Sequence, residues 1–186
     1  MNTNHNHQVI NGIDATVLNE TVSAVSKDPE LGKCVFKAQN KWVDGSQNLS
    51  EITGFFGAKS HISHKQKFKM LADEPALLAG KDEGANPVEY LLHALASCLT
   101  TSMVAHAAVR GIKIDELESE VEGDINLNGF LGLDPDVPKG FSEIRIKFTV
   151  KTDEKNLGRL RELTTFSPVY NTLINGVKVD VEVNRQ

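Results

Sequence analysis

The chain carries two thiols, Cys34 and Cys98, and only the second stands where its surroundings invite chemistry. Cys98 lies near the middle of NPVEYLLHALASCLTTSMVAHAAVR, residues 86–110, a run in which Glu89 is the single charged residue between Pro87 and Arg110. A cysteine is a nucleophile only as its thiolate, so a reactive Cys98 needs a cation or donor to lower the ordinary pKa of about 8.5. The bland reading is a buried cysteine filling space as a small hydrophobe. Glu89 is the one carboxylate of the run, nine residues earlier. On a straight helix that separation puts it on the opposite face, about 13 Å along the axis. The two meet only if the helix breaks between them or a second subunit supplies one of them. By itself Glu89 reads as a first-turn carboxylate favoured by the helix dipole. Cys34, at the start of a strand, reads as packing. His5 with His7, and His61 with His64, have tolerable spacing for a metal pair but lack neighbouring thiols or carboxylates, so neither a metal nor another cofactor is expected.

These residues are positioned by a long helix. Asn86 is an N-cap type, Pro87 suits the first helical position, and Arg110 with Gly111 forms a cationic last turn and a stop. At about 100° per residue, Leu91, Ala94, Leu95, Cys98, Thr101, Ser102, Ala105 and Val109 share one broad face. A helix apolar on every side has to be surrounded by protein. Its length raises the question of a membrane span. Glu89, His93, His106 and several hydroxyls argue against one, as does the lack of Lys or Arg just before it.

Before this helix, residues 1–11 are polar and expected to fray. Ile13, Val17, Leu18, Val22 and Val25 have helical spacing over Gly12–Leu31. Strands are expected at 33–43, 48–56 and 65–71, with His61 and His64 in the loop between the last two. After the helix come strands at 114–127 and 141–150, with turn chemistry between them. Short helices follow at 153–164 and from Ser167-Pro168 to Asn175-Gly176, then a closing strand at 177–183. Grouped strands and segregated helices make the fold class α+β, with mostly antiparallel sheet. The domain division is a polar tail plus amphipathic helix over 1–32 and an α+β domain over 33–186. One sheet covers one side of the long helix, so a homodimer sharing that helix in its core is expected to cover the other.

A hydrophobic content of 40%, a charged content of 24% and a net charge of -5 describe a soluble globular chain. That charge argues against nucleic acid or an anionic membrane surface as partner. Two cysteines without a framework fit a reducing cytoplasm, and the N-terminus has no signal-peptide pattern.

The runs DEP…GKDEGANPVEYLLHALASCLTTS, NGFLGLD and SPVYNTL, in this order, resemble the osmotically inducible protein C / organic hydroperoxide resistance family (OsmC/Ohr), in its broader OsmC-like branch. The resemblance covers roughly 34–183 and is strongest over 73–132. It implies an intertwined α+β homodimer whose central-helix cysteine reduces organic or hydrogen peroxides. Carried over, Cys98 falls on the peroxidatic cysteine, whose thiolate would attack a peroxide oxygen and become a sulfenic acid. Glu89 lies near the family's helix-start glutamate, offset by one place. Ser167 occupies the position of the resolving cysteine, where a serine forms no disulfide. At the position of the activating arginine the chain reads Asp44-Gly45-Ser46-Gln47, and no arginine occurs before Arg110. Two functions are therefore expected to compete. One is a one-cysteine, thiol-dependent peroxidase of oxidative stress, taking a small hydroperoxide and an external thiol reductant. The other is a non-catalytic small-ligand-binding protein in which Cys98 is structural.

Overall fold

The computed structural model describes residues 7–185, so His5 of the sequence-level histidine pair lies outside the described residues. In chain order the elements are β1 (Val9–Ile10), β2 (Ile13–Asp14), α1 (Ala15–Lys27), β3 (Val35–Phe36), β4 (Gln39–Asp44), β5 (Gln47–Gly57) and β6 (Ser60–Ala72). Next come α2 (Pro87–Ala108), β7 (Glu116–Asp124), a one-turn α3 (Leu127–Phe130), β8 (Glu143–Lys151), α4 (Leu157–Leu163) and α5 (Pro168–Asn175). The class is α+β, and every strand pair is antiparallel. The chain forms two compact units, residue 7 with 16–91 and residues 8–15 with 92–185, the division falling inside α2.

In the first unit β5 is the central strand, flanked by β6 on one side and by β3 and β4 on the other. The β5–β6 hairpin turns on Ala58 and Lys59, both left-handed (φ 47° and 62°). Paired positive φ values match the twist of a two-residue hairpin, a conformation usually signalled by Asn-Gly. Ala-Lys carries no such signal, which is why a longer loop was expected. His61 and His64 are consequently strand residues. His61 meets the Phe56 ring edge-on at 5.3 Å, and His64 stands between Phe55 at 5.9 Å and Phe68 at 5.3 Å.

In the second unit β7 and β8 alternate in step. Leu117, Phe148 and Val150 turn toward a core of Met103, Ala107, Ile112, Leu160 and Leu163. Burying each large member of that core stabilises the fold by about 1.5–3 kcal/mol. The opposite face is a charge ladder in which Lys151 meets Glu116 at 2.6 Å and Arg145 reaches both Glu122 (2.8 Å) and Asp124 (2.5 Å).

Residues 8–15 correct the expected frayed start. Asn11 and Gly12 (φ 54° and 74°) close a hairpin, and α1 begins only at Ala15. The Asn11 side chain donates to the Ile112 carbonyl at 2.9 Å and accepts from the Ile114 N–H at 2.8 Å, pinning the segment that follows α2.

Two further expectations are corrected. Residues 177–185 form no strand among the described residues: alternation alone makes no strand, and no other strand pairs with the segment. The long helix is covered along one stripe, Leu95, Leu99, Met103, Ala107 and Ala108, rather than all round. It is long and apolar enough to cross a membrane by length and composition, and 28% of its most apolar 18-residue window is buried.

Candidate functional site

The start of α2 is set by a reciprocal pair of hydrogen bonds. Asn86 Oδ1 accepts from the Val88 N–H at 2.9 Å, and the Asn86 N–H donates to Glu89 Oε2 at 2.9 Å. This is a capping box with Asn at the cap and Glu three residues on. Glu74 Oε2 accepts from Asn86 Nδ2 at 2.5 Å, and the Tyr90 hydroxyl donates to the Leu71 carbonyl at 2.7 Å. Glu89 therefore has a local structural partner. Because α2 runs unbroken to Ala108, the nine-residue separation from Cys98 stands, and the helix does not bring the two together.

Cys98 is half-buried, neither sealed nor fully exposed. Thr101 Oγ1 donates to the Ser97 carbonyl at 2.9 Å and the Cys98 carbonyl at 3.2 Å, and Ser97 Oγ donates to the Ala94 carbonyl at 3.2 Å, so these two hydroxyls are directed at backbone rather than at sulfur. Among the described residues the Cys98 thiol has no hydrogen-bond partner and no cation within a helical turn. Ser167 is fully buried and caps α5, its Oγ accepting from the Tyr170 N–H at 3.2 Å. Cys34, exposed, lies against Gly57, where a Cβ would come within 3.1 Å of its sulfur.

The segment Asp44–Gln47 has a different task. Ser46 Oγ donates to Asp73 Oδ1 at 2.6 Å, and Gln47 Nε2 donates to Asp73 Oδ2 at 3.3 Å and to Glu83 Oε2 at 2.6 Å. Backbone N–H groups of Glu74 (2.8 Å), Lys81 (3.2 Å) and Glu83 (3.2 Å) complete the shell around this buried carboxylate. The Ser46 hydroxyl leads, with the backbone and Gln47 donors, in holding the Asp73 pKa far below the carboxylate range against the opposing effect of burial. Sequence reading passed over Asp73, since a lone aspartate in DEP gives no sign of burial.

A second cluster it missed joins the end of α2 to residues 164–166. The His106 ring stacks on Phe166 at 4.1 Å, Arg110 Nη1 lies 3.1 Å from His106 Nδ1, and the guanidinium sits 5.6 Å from the Phe166 centroid. Burial, then the Arg110 charge, push the His106 pKa down, so the neutral ring with Nδ1 as acceptor is favoured. The i,i+4 spacing of His106 and Arg110 was the available signal. Among the described residues, no group of three or more His, Cys, Asp or Glu could hold a metal ion.

The family profile described as OsmC-like protein matches residues 80–182, more than half of the chain. The chain belongs to the OsmC family. Among solved structures, an OsmC-like protein of Mycoplasma pneumoniae is similar at a TM-score of 0.58 and 21% identity, over 76% of this chain and 88% of that one. A hypothetical protein of Aquifex aeolicus gives 0.52 and 18%, over 76% and 89%. An organic hydroperoxide resistance protein OsmC of Legionella pneumophila gives 0.50 and 15%, over 77% and 93%. At these identities the likeness is one of fold. No curated protein matches the chain. Within this OsmC scaffold, Cys98 stands mid-helix, Glu89 at the helix start and Ser167 at a buried cap.

Proposed function

We propose that this OsmC-family protein is a one-cysteine, thiol-dependent peroxidase acting in the cytoplasm as a homodimer. The observation that carries the reading is Cys98, a half-buried thiol in the middle of α2; the sequence resemblance sets it against the family's reactive cysteine. The Cys98 thiolate attacks the terminal peroxide oxygen, the O–O bond breaks, and the alcohol or water leaves with a proton. Sulfur is oxidised to the sulfenic acid. With Ser167 at the resolving position, an external thiol condenses with the sulfenic acid, releasing water. A second external thiol reduces the mixed disulfide and restores Cys98. Ser167 contributes a wall and a helix cap rather than a redox step. With α2 unbroken, a Glu89 that orients peroxide beside Cys98 comes from the second copy. Support for two copies comes from the length of α2 left uncovered beside its one buried stripe.

A non-catalytic ligand-binding role is favoured by one observation: among the described residues the Cys98 thiol has no hydrogen-bond partner, and no Lys or Arg stands within a helical turn of it along α2. Mild hydroperoxide treatment followed by peptide mass spectrometry separates the two. Oxygen addition confined to the Cys98 peptide, with peroxide consumption lost in Cys98→Ser, is expected. No modification, or equal modification of Cys34, would return the protein to the binding class. So would a Cys98 that a thiol probe labels only after denaturation.

A further inference from the structure

We infer that the sheet of the first unit carries, on its lysine-bearing face, a binding site for a phosphoryl group, as inorganic phosphate or on a small phosphate monoester. The site is a cavity of about 230 Å³ near the turn end of the β5–β6 hairpin. Its origin is a break in strand register. Ile52 pairs with Phe68 and Gly54 with Ser63, so Thr53 alone stands against residues 64–67. A bulge opens the ladder and re-aims the side chains around it. Gly54 then brings the two strands close again: a Cβ there would lie 2.3 Å from the Ile62 carbonyl oxygen.

Five side chains in the wall can donate hydrogen bonds: Lys37, Gln39, Thr53, His61 and Ser63. Among the described residues none of these five side chains has a hydrogen-bond or ion-pair partner. Glu51 is the one carboxylate lining the cavity, and Lys67 (2.8 Å) and Lys69 (3.6 Å) already neutralise it. The pairing of Gln39 with Glu51 and of Glu51 with Lys69 puts these three on one face of the sheet, and alternation along β4 adds Lys41. Lys37, Lys41, Lys67 and Lys69 are thus set against a single acid, a local cationic excess in a chain of net charge -5.

Unused donors beside excess positive charge select an acceptor-rich anion. A phosphoryl group carries a charge of about -1.5 to -2 and three strong acceptor oxygens, more of both than a carboxylate. Lys37 suits it as a compact point charge, and the two hydroxyls, the Gln39 amide and the His61 ring can serve the remaining oxygens. The Phe56 ring, met edge-on by His61 at 5.3 Å, supports the imidazole at the wall. A single cavity fits one phosphoryl group, whereas a nucleic-acid strand needs a basic groove that tracks its backbone. The inference is independent of Cys98 and of the two-copy reading.

The test is an amide-resolved NMR titration of the full chain with inorganic phosphate at constant ionic strength. Saturable shifts confined to residues 37–39, 51–56 and 61–63 are expected. Lys37→Gln should weaken binding about 10-fold or more, and Ser63→Ala by a smaller factor, both at exposed positions where the fold tolerates change. Lys41→Gln, on the same face but outside the cavity, should change the affinity by less than about two-fold. Acetate at the same ionic strength should bind about 10-fold more weakly than phosphate. Equal losses in Lys37→Gln and Lys41→Gln, or shifts that never saturate, would reduce the effect to diffuse attraction and overturn the site. Acetate binding as tightly as phosphate would overturn the phosphoryl assignment. So would a single-stranded oligonucleotide that binds this face and resists displacement by phosphate.

Discussion

At the residue scale the two carboxylates that matter act by being held. Glu89 closes a capping box, and glutamine serves at that position as well as glutamate. Glu89→Gln should leave the melting temperature within about 1 °C, whereas Glu89→Ala should lower stability by about 0.5 kcal/mol. If peroxide turnover falls in Glu89→Gln while the melting temperature holds, the carboxylate has a role besides the cap. Ser167→Ala removes the cap of α5 and should lower stability by about 1 kcal/mol, read as a melting temperature lower by about 2–4 °C. Asp73 makes the sharper demand. Its folded-state pKa is depressed, so the stability it contributes is fully present above its ordinary value of 3.8 and is lost as pH falls through the folded value. Acid unfolding of Asp73→Asn should show a shallower slope below about pH 4 than the parent chain. An unchanged slope would remove Asp73 from this role.

At the element scale the end of α2 carries a titration of its own. The His106 pKa is lowered by burial and by Arg110, so the neutral form is the one that fits the fold. Stability contributed there is complete above the ordinary histidine value of 6.5 and declines as pH falls from that value through the folded one. Between about pH 6.5 and 5, melting temperatures of the parent should fall, and His106→Gln should remove part of that fall. The residue also touches Phe166, next to Ser167, so its protonation should register in exchange of the amides of 164–170. The N-terminal hairpin shows how short a signal suffices. Asn11-Gly12 between Val9-Ile10 and Ile13-Asp14 is the turn pair that favours two positive φ values, and it was legible in the sequence. The helix expected from Gly12 begins at Ala15 instead.

At the scale of the whole molecule, the two-copy reading proposed above sets an expectation of size. Size measured by light scattering at micromolar concentration should give twice the chain mass. What the sequence determined by itself was local: the helical run of α2 with its Asn86 cap, the alternation within β6 and β8, the start of α5 at Ser167-Pro168, and hence the α+β class, while the order of separate motifs carried the OsmC resemblance. Such patterns follow from local backbone geometry and from which face must leave water, and both can be read along a chain. What only the tertiary structure decided was non-local. Asp73 is ringed by donors from Ser46 to Glu83, His106 is desolvated against Phe166, and Cys98 has no donor at its sulfur among the described residues. Each depends on which distant segments share a neighbourhood, and one-dimensional spacing carries no record of that.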